Sequence, residues 1–362
     1  MRPSAAAAKG GDWLGVPQHC LTTVKRGRGF RDYTRAVNEL RVYERISDAI
    51  GWTPLVRLDR SVAGLGCEVF AKIEFMNPMG SVKDRIARYM VEKALADGRL
   101  AVGDEIIENS SGNTAMGLAL MAVMEGLECT MVVRRQTSKE KLDSLVAMGV
   151  KLVLVDGDLP PDHPESYNRT ARRLAAENPA AYFPDQHNNR ENSEAHYHTT
   201  GPEIWRQMAQ EIDYVVAGIG TGGTICGIAR FLKERDPSIK VVAIDPQGSV
   251  FFDHFHNGTA VKPGRYLIEG LGDEELISCP DFDIIDDMIR ISDADAFHAT
   301  RRLARTEGIF AGGSSGAALW GVRELARRLD APARIVTVFP DSGFRYLSTV
   351  YNDGWMRTHG FL

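Results

Sequence analysis

Short apolar runs alternate with longer helical stretches along most of this 362-residue chain. Six runs have the length and composition of buried strands, and they lie at 69–75, 131–133, 152–155, 214–217, 241–244 and 335–339. Helical stretches lie between and after them, at 82–97, 113–125, 139–148, 222–235, 293–306 and 316–329. Strands separated by helices require crossover connections, which favour a parallel sheet with helices on both faces. Such sheets bind ligands at the carboxyl ends of their strands.

Size and composition narrow the class of protein. The length suits one large or two medium domains. Hydrophobic residues at 44% and charged residues at 25% match a soluble globular protein, and the net charge of −5 gives no reason to expect a nucleic-acid or membrane partner. No apolar run approaches the ~20 residues of a membrane helix. Five scattered cysteines without CxxC spacing predict neither a disulfide framework nor a metal site, and favour a cytoplasmic enzyme.

The N-terminal segment differs from the rest. Residues 1–31 carry six lysines or arginines against one acid, with an alanine run at 5–8 but no apolar core of a secretory signal. A transit peptide, a disordered tail and an arm reaching a neighbouring subunit are all compatible with this composition. We expect residues 1–40 to form a flexible extension.

The first motif that bears on chemistry is the segment 77–85, which follows the predicted strand 69–75. A turn of Asn, Pro and Gly leads to Ser81, which can cap a helix, and places Lys83 in the first helical turn. The positive helix end would lower the pKa of its amine, and a less protonated amine is a better Schiff-base nucleophile. A surface lysine beside Asp84 and Arg85 is the open alternative.

The second motif is the glycine-rich segment 218–224, between a predicted strand and a helix. Successive glycines let backbone N–H groups converge on a phosphate at the helix N-terminus, although a tight turn without a ligand would read the same way. Gly218, Gly220 and Gly223 also fit G-x-G-x-x-G, and Asp245 closes the next strand. That is the dinucleotide fingerprint, so a nicotinamide-dependent dehydrogenase is a second hypothesis.

The segment 312–316 reads as G-x-S-x-G, with Asp341 and His359 following in the order of hydrolase triads. A nucleophile elbow requires a strand before it, and residues 308–311 are too short for one. We therefore predict that serine caps a helix here.

The segment 109–114 places hydroxyl groups, an amide and free N–H groups at the start of a helix. Such a cluster suits a carboxylate ligand, and it is equally compatible with a helix cap that has spare polar residues. The segment 340–343, after the last strand, predicts only a strand end and a turn.

In this order, the motifs resemble those of the cysteine synthase and cystathionine β-synthase family of pyridoxal-phosphate enzymes. The resemblance runs from about residue 42 to the C-terminus and includes 46–56, 185–186, 199–205 and 269–272; 291–297 and 351–356 look most like bacterial cystathionine β-synthases without a regulatory module. It implies a fold-type-II enzyme with two three-layer α/β domains and the cofactor in the cleft between them. The large domain would comprise 41–85 plus 199–362, and a smaller mobile domain, 86–198, would close on the substrate.

The resemblance also implies residue roles. Lys83 would form the internal aldimine with pyridoxal 5′-phosphate and then shuttle the Cα proton. Further contacts to the cofactor would come from Asn113, Gly220, Thr221, Gly222, Gly223, Thr224 and Ser342. The substrate would be bound by Ser110, Ser111, Asn113, Thr114, Gln186 and Gly270.

The implied reaction is β-replacement on L-serine or an O-activated L-serine through an aminoacrylate, with a thiol acceptor, in a cytoplasmic homodimer. This is the activity of a cystathionine β-synthase or a cysteine synthase. One departure is Asp273, where animal cystathionine β-synthases carry an aromatic residue, and it argues against homocysteine as the acceptor. The alternatives are an amine acceptor giving a diaminopropionate-type amino acid, a catalytically idle binding partner, and the dehydrogenase that uses 218–223.

Overall fold

A six-stranded sheet forms the larger half of the fold. The computed structural model describes residues 42–157, 159–160 and 163–362. Across the sheet, the strands are β1 (Leu55–Arg57), β2 (Glu68–Ile73), β10 (Arg334–Phe339), β7 (Tyr214–Gly218), β8 (Lys240–Pro246) and β9 (Asp287–Ile291). Only β1 runs antiparallel to its neighbour, and the remaining pairs are parallel.

A second sheet has four strands, all parallel. Its order is β5 (Lys151–Val155), β4 (Glu128–Arg134), β3 (Glu105–Asn109) and β6 (Ala181–Tyr182). The predicted parallel α/β fold is confirmed. Residues Tyr43–Leu362, which contain both sheets, form one compact unit. The domain boundaries at residues 85 and 198 stay a prediction, and the extension 1–40 lies outside the described residues.

The described ranges contain eleven α-helices. They are α1 (Lys83–Ala96), α2 (Asn113–Glu125), α3 (Lys139–Ala147), α4 (Tyr167–Glu177), α5 (Glu191–His198), α6 (Thr200–Gln207), α7 (Gly223–Lys233), α8 (Phe251–Asn257), α9 (Asp293–Glu307), α10 (Gly313–Ala326) and α11 (Asp353–Thr358). All six predicted helices are present, with ends shifted by up to three residues. Within the part of the chain that is described, no helix is long and apolar enough to cross a membrane.

Helix α1 joins the two sheets. It begins shortly after β2 of the larger sheet, yet its buried Ala87 and Val91 belong to the core of the smaller sheet, together with Ile106 of β3 and Met131 of β4. The side chains at the start of α1 are therefore fixed relative to both sheets, which matters because Lys83 is its first residue.

The segment 312–316 packs two helices together. Helix α10 begins at Gly313 with Gly312 as its N-cap and no side-chain cap, so the prediction of a capping serine is wrong. A Cβ on Gly316 would lie 2.3 Å from the backbone oxygen of Ala296, which means that glycine permits the close approach of α9 and α10. The described residues directly before the motif form no strand, and Ala311 makes only an isolated bridge. The motif is therefore not a nucleophile elbow.

Candidate active site

A cavity of about 500 Å³ opens where loops from both sheets meet. It is lined by Lys83, by the loop 109–114 after β3, by Gly220 and Thr221 after β7, and by the loop 264–275. Each strand-following loop leaves the carboxyl end of its strand, as expected for a parallel sheet. The structure thus brings together residues from four motifs that lie far apart in the sequence.

Lys83 extends its amine into this cavity from the first turn of α1. Burial lowers the pKa of the amine, and the nearby Cys279 and Asp341 only partly offset this effect. The sequence predicts a pKa lowered by the helix dipole, whereas in the structure the main cause of the lowered pKa is burial of the amine. The backbone N–H of Lys83 donates to the Ser81 hydroxyl at 3.2 Å, which fixes the first turn. An amine held in this state is suited to nucleophilic attack and proton transfer.

Asn113, the first residue of α2, is held by a buried carboxylate. Its Nδ2 donates to Asp341 Oδ2 at 2.8 Å, and the Tyr346 hydroxyl donates to the same oxygen at 2.6 Å. Burial raises the pKa of Asp341, although these two hydrogen bonds oppose the shift. The amide oxygen of Asn113 is buried and has no hydrogen-bond partner among the described residues. A buried acceptor without a donor marks a position where a ligand group can bind.

Two hydroxyl groups of the 109–114 loop, those of Ser110 and Thr114, are held by hydrogen bonds. Ser110 Oγ accepts the backbone N–H of Ala115 at 3.2 Å. The Thr114 hydroxyl donates to Gln186 Oε1 at 2.6 Å, and the Gln186 backbone N–H donates to Glu108 Oε2 at 3.3 Å. Ser110, Thr114 and Gln186 are buried yet line the cavity, as does Ser111. These predicted carboxylate-binding residues therefore share one wall.

The glycine loop is shaped by close contacts that exclude side chains. A Cβ on Gly220 would lie 2.4 Å from the Gly270 carbonyl oxygen, and a Cβ on Gly222 would lie 2.7 Å from Pro280. Gly222 also has φ +79°, a conformation that favours glycine. It is the N-cap of α7, whose first backbone N–H groups are available to an anion. This arrangement is compatible with an anion such as a phosphate at the helix N-terminus.

Four predicted site residues, Gly222, Gly223, Thr224 and Ser342, lie outside the lining of the cavity. The first three lie behind Gly220 and Thr221 at the start of α7. Ser342 uses its Oγ to accept the backbone N–H of Phe344 at 3.3 Å. Gly270 lines the cavity, next to the glycine loop.

Asp245, the acid expected to meet a ribose, faces the protein interior. It is fully buried, and its Oδ2 accepts the backbone N–H of Phe252 at 3.0 Å. Burial raises its pKa to about 7. Since Asp245 also lies outside the cavity lining, the geometry does not support the dinucleotide fingerprint.

Charged residues surround the cavity mouth. Lys141 of α3 reaches across to Glu269 at 2.6 Å, and His187 Nδ1 lies 3.4 Å from Asp273 Oδ2. Both pairs join the side of the smaller sheet to the loop 264–275. Asp273, the departure noted in the sequence, is thus part of the site's rim.

Two buried residues of α5 that the sequence did not single out reach the glycine loop. Asn192 Nδ2 donates to Thr221 Oγ1 at 3.0 Å, and His196 Nε2 lies 3.1 Å from Thr224 Oγ1. Their spacing of four residues places them on one helix face. That spacing is a usable signal, but α5 has no apolar stripe, so hydrophobic periodicity does not indicate a helix here.

The cavity suits a planar ligand that carries a phosphate. It offers an amine of lowered pKa, the unpaired buried Asn113 Oδ1, and a glycine loop at a helix N-terminus. Asp341 Oδ1 is a second buried oxygen without a partner among the described residues. Pyridoxal phosphate has the aldehyde, ring oxygen and phosphate that this set requires.

Comparisons with known proteins agree with this geometry. Residues 46–341 match the family model described as pyridoxal-phosphate dependent enzyme. The chain is 41% identical to cystathionine beta-synthase of Apis mellifera over 348 residues, which cover 96% of this chain and 66% of that protein. The chain therefore spans just under two thirds of the length of that relative.

Two further relatives are matched over nearly their whole length. The chain is 43% identical to N-(2-amino-2-carboxyethyl)-L-glutamate synthase of Ralstonia nicotianae, a match that covers 86% of this chain and 90% of the relative. A solved structure, a hydrogen sulfide-producing enzyme from Fusobacterium nucleatum, aligns with a TM-score of 0.77 and 31% identity, covering 84% of this chain and 98% of that one.

Proposed function

The chain belongs to the family of pyridoxal-phosphate dependent enzymes, and we propose that it catalyses β-replacement on L-serine or an O-activated L-serine with a thiol acceptor. The observation that carries the proposal is Lys83, whose desolvated amine faces a cavity lined by carboxylate-binding hydroxyls and a glycine loop. The similarity to cystathionine beta-synthase of Apis mellifera supports the thiol.

Residues from both sheets would hold the cofactor. Lys83 would bind its aldehyde, Asn113 would donate to or accept from its ring oxygen, and Ser342 would meet its ring nitrogen. The phosphate would bind to Gly220, Thr221, Gly222, Gly223 and Thr224. When bound, pyridoxal phosphate supplies an electron sink for cleavage of the substrate Cα–H bond.

Lys83 would also move the proton. Because burial lowers its pKa, a larger fraction of the amine is neutral and can accept the Cα proton. The β-substituent would leave Cβ with its bonding electrons, and the same nitrogen would return the proton to Cα after the acceptor has added at Cβ. Asp341, the carboxylate whose charge raises the pKa of the amine, has itself a raised pKa and therefore opposes this neutral state less than an ionised group would.

The wall formed by Ser110, Ser111, Thr114 and Gln186 would orient the substrate through its carboxylate. Hydroxyl and backbone N–H donors at the start of α2 suit such an anion. With the carboxylate held there, the Cα and Cβ atoms of a serine derivative would lie over the centre of the cavity. Closure of the rim through Lys141 and Glu269 would exclude water from the reacting atoms.

A second candidate is the same reaction with an amine acceptor. Asp273 supports it, because a carboxylate at the rim attracts a protonated amine and repels a thiolate. The match to N-(2-amino-2-carboxyethyl)-L-glutamate synthase of Ralstonia nicotianae over most of its length supports it as well.

The test separates donor from acceptor. The purified holoprotein is offered serine, O-acetylserine or O-phosphoserine, each with sulfide, homocysteine or glutamate, and products are identified by mass. Thioether or thiol products support the main proposal, and product from glutamate alone overturns it in favour of the amine. Absence of any β-replacement with all nine pairs would overturn both.

The proposal includes a cytoplasmic homodimer. Trp52, Met76 and Phe344 are large apolar side chains that are exposed. Hydrogen bonds from Gly51 to Asn77 and from Arg345 to Met79 tie their segments together, so these exposed side chains belong to neighbouring segments. An apolar surface of this kind fits a second copy. Sedimentation should give a dimer, and Met76→Glu should give a monomer.

A further inference from the structure

Helix α5 contacts the glycine loop through two buried polar side chains. Asn192 Nδ2 donates both to the Gln186 carbonyl oxygen, at 2.8 Å, and to Thr221 Oγ1, at 3.0 Å. One turn later, His196 lies between two hydroxyls, with Nδ1 2.9 Å from Thr200 Oγ1 and Nε2 3.1 Å from Thr224 Oγ1. Every hydroxyl that the loop offers to a phosphate is thus in contact with α5.

Glycines fix the distance between α5 and α7. A Cβ on Gly223 would lie 1.9 Å from Asn192 Oδ1, and a Cβ on Gly227 would lie 2.2 Å from the Ser193 carbonyl oxygen. Gly223 is therefore required for helix packing, independently of any phosphate. Because the two helices approach so closely, the side chains of Asn192 and His196 have little freedom to move away from the loop.

His196 is neutral. The ring is fully buried, and burial lowers its pKa well below the ordinary value, with the positive charges of Arg85 and Lys83 acting in the same direction. A neutral imidazole has one N–H donor and one acceptor nitrogen. Which nitrogen carries the hydrogen decides what the Thr224 hydroxyl can offer to a ligand.

The partner of Nδ1 determines the tautomer. Thr200 is fully buried, and its Oγ1 has His196 as its one hydrogen-bond partner in the described part of the chain. If Nδ1 carried the hydrogen, the Thr200 O–H would have no acceptor, which is costly for a buried group. The Thr200 hydroxyl therefore donates to Nδ1, and Nε2–H donates to Thr224 Oγ1.

The Asn192 amide is fixed by the same reasoning. The Gln186 carbonyl oxygen can only accept, so the Asn192 atom facing it must be the NH₂ group. That group also donates to Thr221 Oγ1. Both loop hydroxyls thus have an oxygen lone pair engaged by α5, and both keep their own hydrogen free.

We propose that Asn192 and His196 are positioning residues that turn the hydroxyl hydrogens of Thr221 and Thr224 toward the phosphate of the cofactor. The assignment rests on the proposed cofactor site. An anion gains from O–H donors and is repelled by lone pairs, so the orientation set by α5 favours the phosphorylated cofactor. Through the Gln186 carbonyl, Asn192 also connects the substrate-binding wall to the phosphate loop.

The test compares two forms of the cofactor. Dissociation constants of pyridoxal 5′-phosphate and of unphosphorylated pyridoxal are measured for the apoprotein and for His196→Phe and Asn192→Leu. Each variant should bind pyridoxal 5′-phosphate about tenfold more weakly and pyridoxal as well as the wild type does. The matched control is His198→Phe, an exposed histidine of the same helix that pairs with Glu194, and it should change neither constant.

The outcomes separate the possible failures. Equal weakening of both ligands would mean that α5 only supports the fold, and unchanged constants would mean that the hydroxyls need no orientation. If the wild type does not prefer the phosphorylated form, the proposed cofactor site itself is wrong. Nitrogen-15 NMR of histidine-labelled wild-type apoprotein needs no variant: hydrogen on Nε2 of His196 is expected, and hydrogen on Nδ1 would overturn the inference.

Discussion

Lys83 and Arg85 lie two residues apart at the start of α1, and both are basic side chains surrounded by protein, but their environments differ. The Arg85 guanidinium bonds to four carboxylate oxygens, those of Glu74 at 2.7 and 2.9 Å and those of Glu203 at 2.7 and 2.8 Å. The Lys83 amine forms no salt bridge with any described carboxylate. Paired buried charges hold a fold together, and an unpaired one is available for chemistry.

The network around Arg85 is electrically neutral when Lys72 is included. Lys72 lies 2.7 Å from Glu203 and is fully buried, so two cations face two carboxylates. Burial alone would raise the pKa values of Glu74 and Glu203, but Arg85 and Lys72 outweigh that effect and both pKa values are lowered. The Asp84 carboxylate, between Lys83 and Arg85, accepts a hydrogen bond from the Met79 backbone N–H and from no other described residue, and burial raises its pKa to about 7.

Replacing Lys83 should have the largest effect on the protein. Lys83→Ala should lower kcat by on the order of 10³-fold or more, because the nucleophile and proton carrier are lost together. The visible absorbance of the bound cofactor should be lost as well. Stability to urea should not fall, since the deleted amine has no charged partner. A variant that keeps turnover within tenfold of the wild type would exclude Lys83 from the chemistry.

The opposite pattern is expected at Arg85. Arg85→Met should lower the free energy of unfolding by about 3–5 kcal/mol, because it leaves two buried carboxylates with Lys72 as their single cation. Urea unfolding measures the loss. Arg88→Met, one turn along and paired with Glu92 near solvent, is the matched control and should change stability by about 0.5 kcal/mol or less. Equal effects at the two arginines would contradict the proposed role of the network.

The sequence predicts where Lys83 lies but not why the pKa of its amine is lowered. Its place in the first turn of a helix follows from turn residues and serine, which are local signals, and Ser81 does accept the Lys83 N–H. The burial that lowers its pKa arises only in the folded cavity, which is lined by residues far along the chain such as Gly220 and Gly270. No local pattern contains that information.

Helix α5 could not be predicted for a different reason. Its buried residues include Asn192 and His196, which are polar and form hydrogen bonds to other elements. Hydrophobic periodicity finds helices that bury apolar faces, and this one does not. Strand β3 was missed likewise, since its buried Glu108 and Asn109 are polar.

Asp84 should make stability depend on pH. An acid whose pKa is about 7 when folded and near 4 when unfolded stabilises the fold at low pH and loses that contribution as the pH rises toward 7. Asp84→Asn should therefore gain stability relative to the wild type across that range, by at most about 1.4 kcal/mol per pH unit. The charges of Arg345 and Arg85 lower the pKa of Asp84 and that of Glu74 raises it, so all three residues should be kept in both proteins. A pH-independent difference between the two proteins would contradict the raised pKa.

The smallest effect is expected at Ser342, whose Oγ is already engaged. Ser342→Ala removes the cap of the 3-10 helix Gly343–Tyr346 and should cost about 0.5–1 kcal/mol in urea unfolding. If the hydroxyl also meets the cofactor ring nitrogen, the absorbance maximum of the holoprotein should shift and kcat should fall. Ser292→Ala, which removes a comparable N-cap from α9, is the control for the capping effect alone. Identical changes in Ser342→Ala and Ser292→Ala would leave Ser342 with a structural role and remove it from the site.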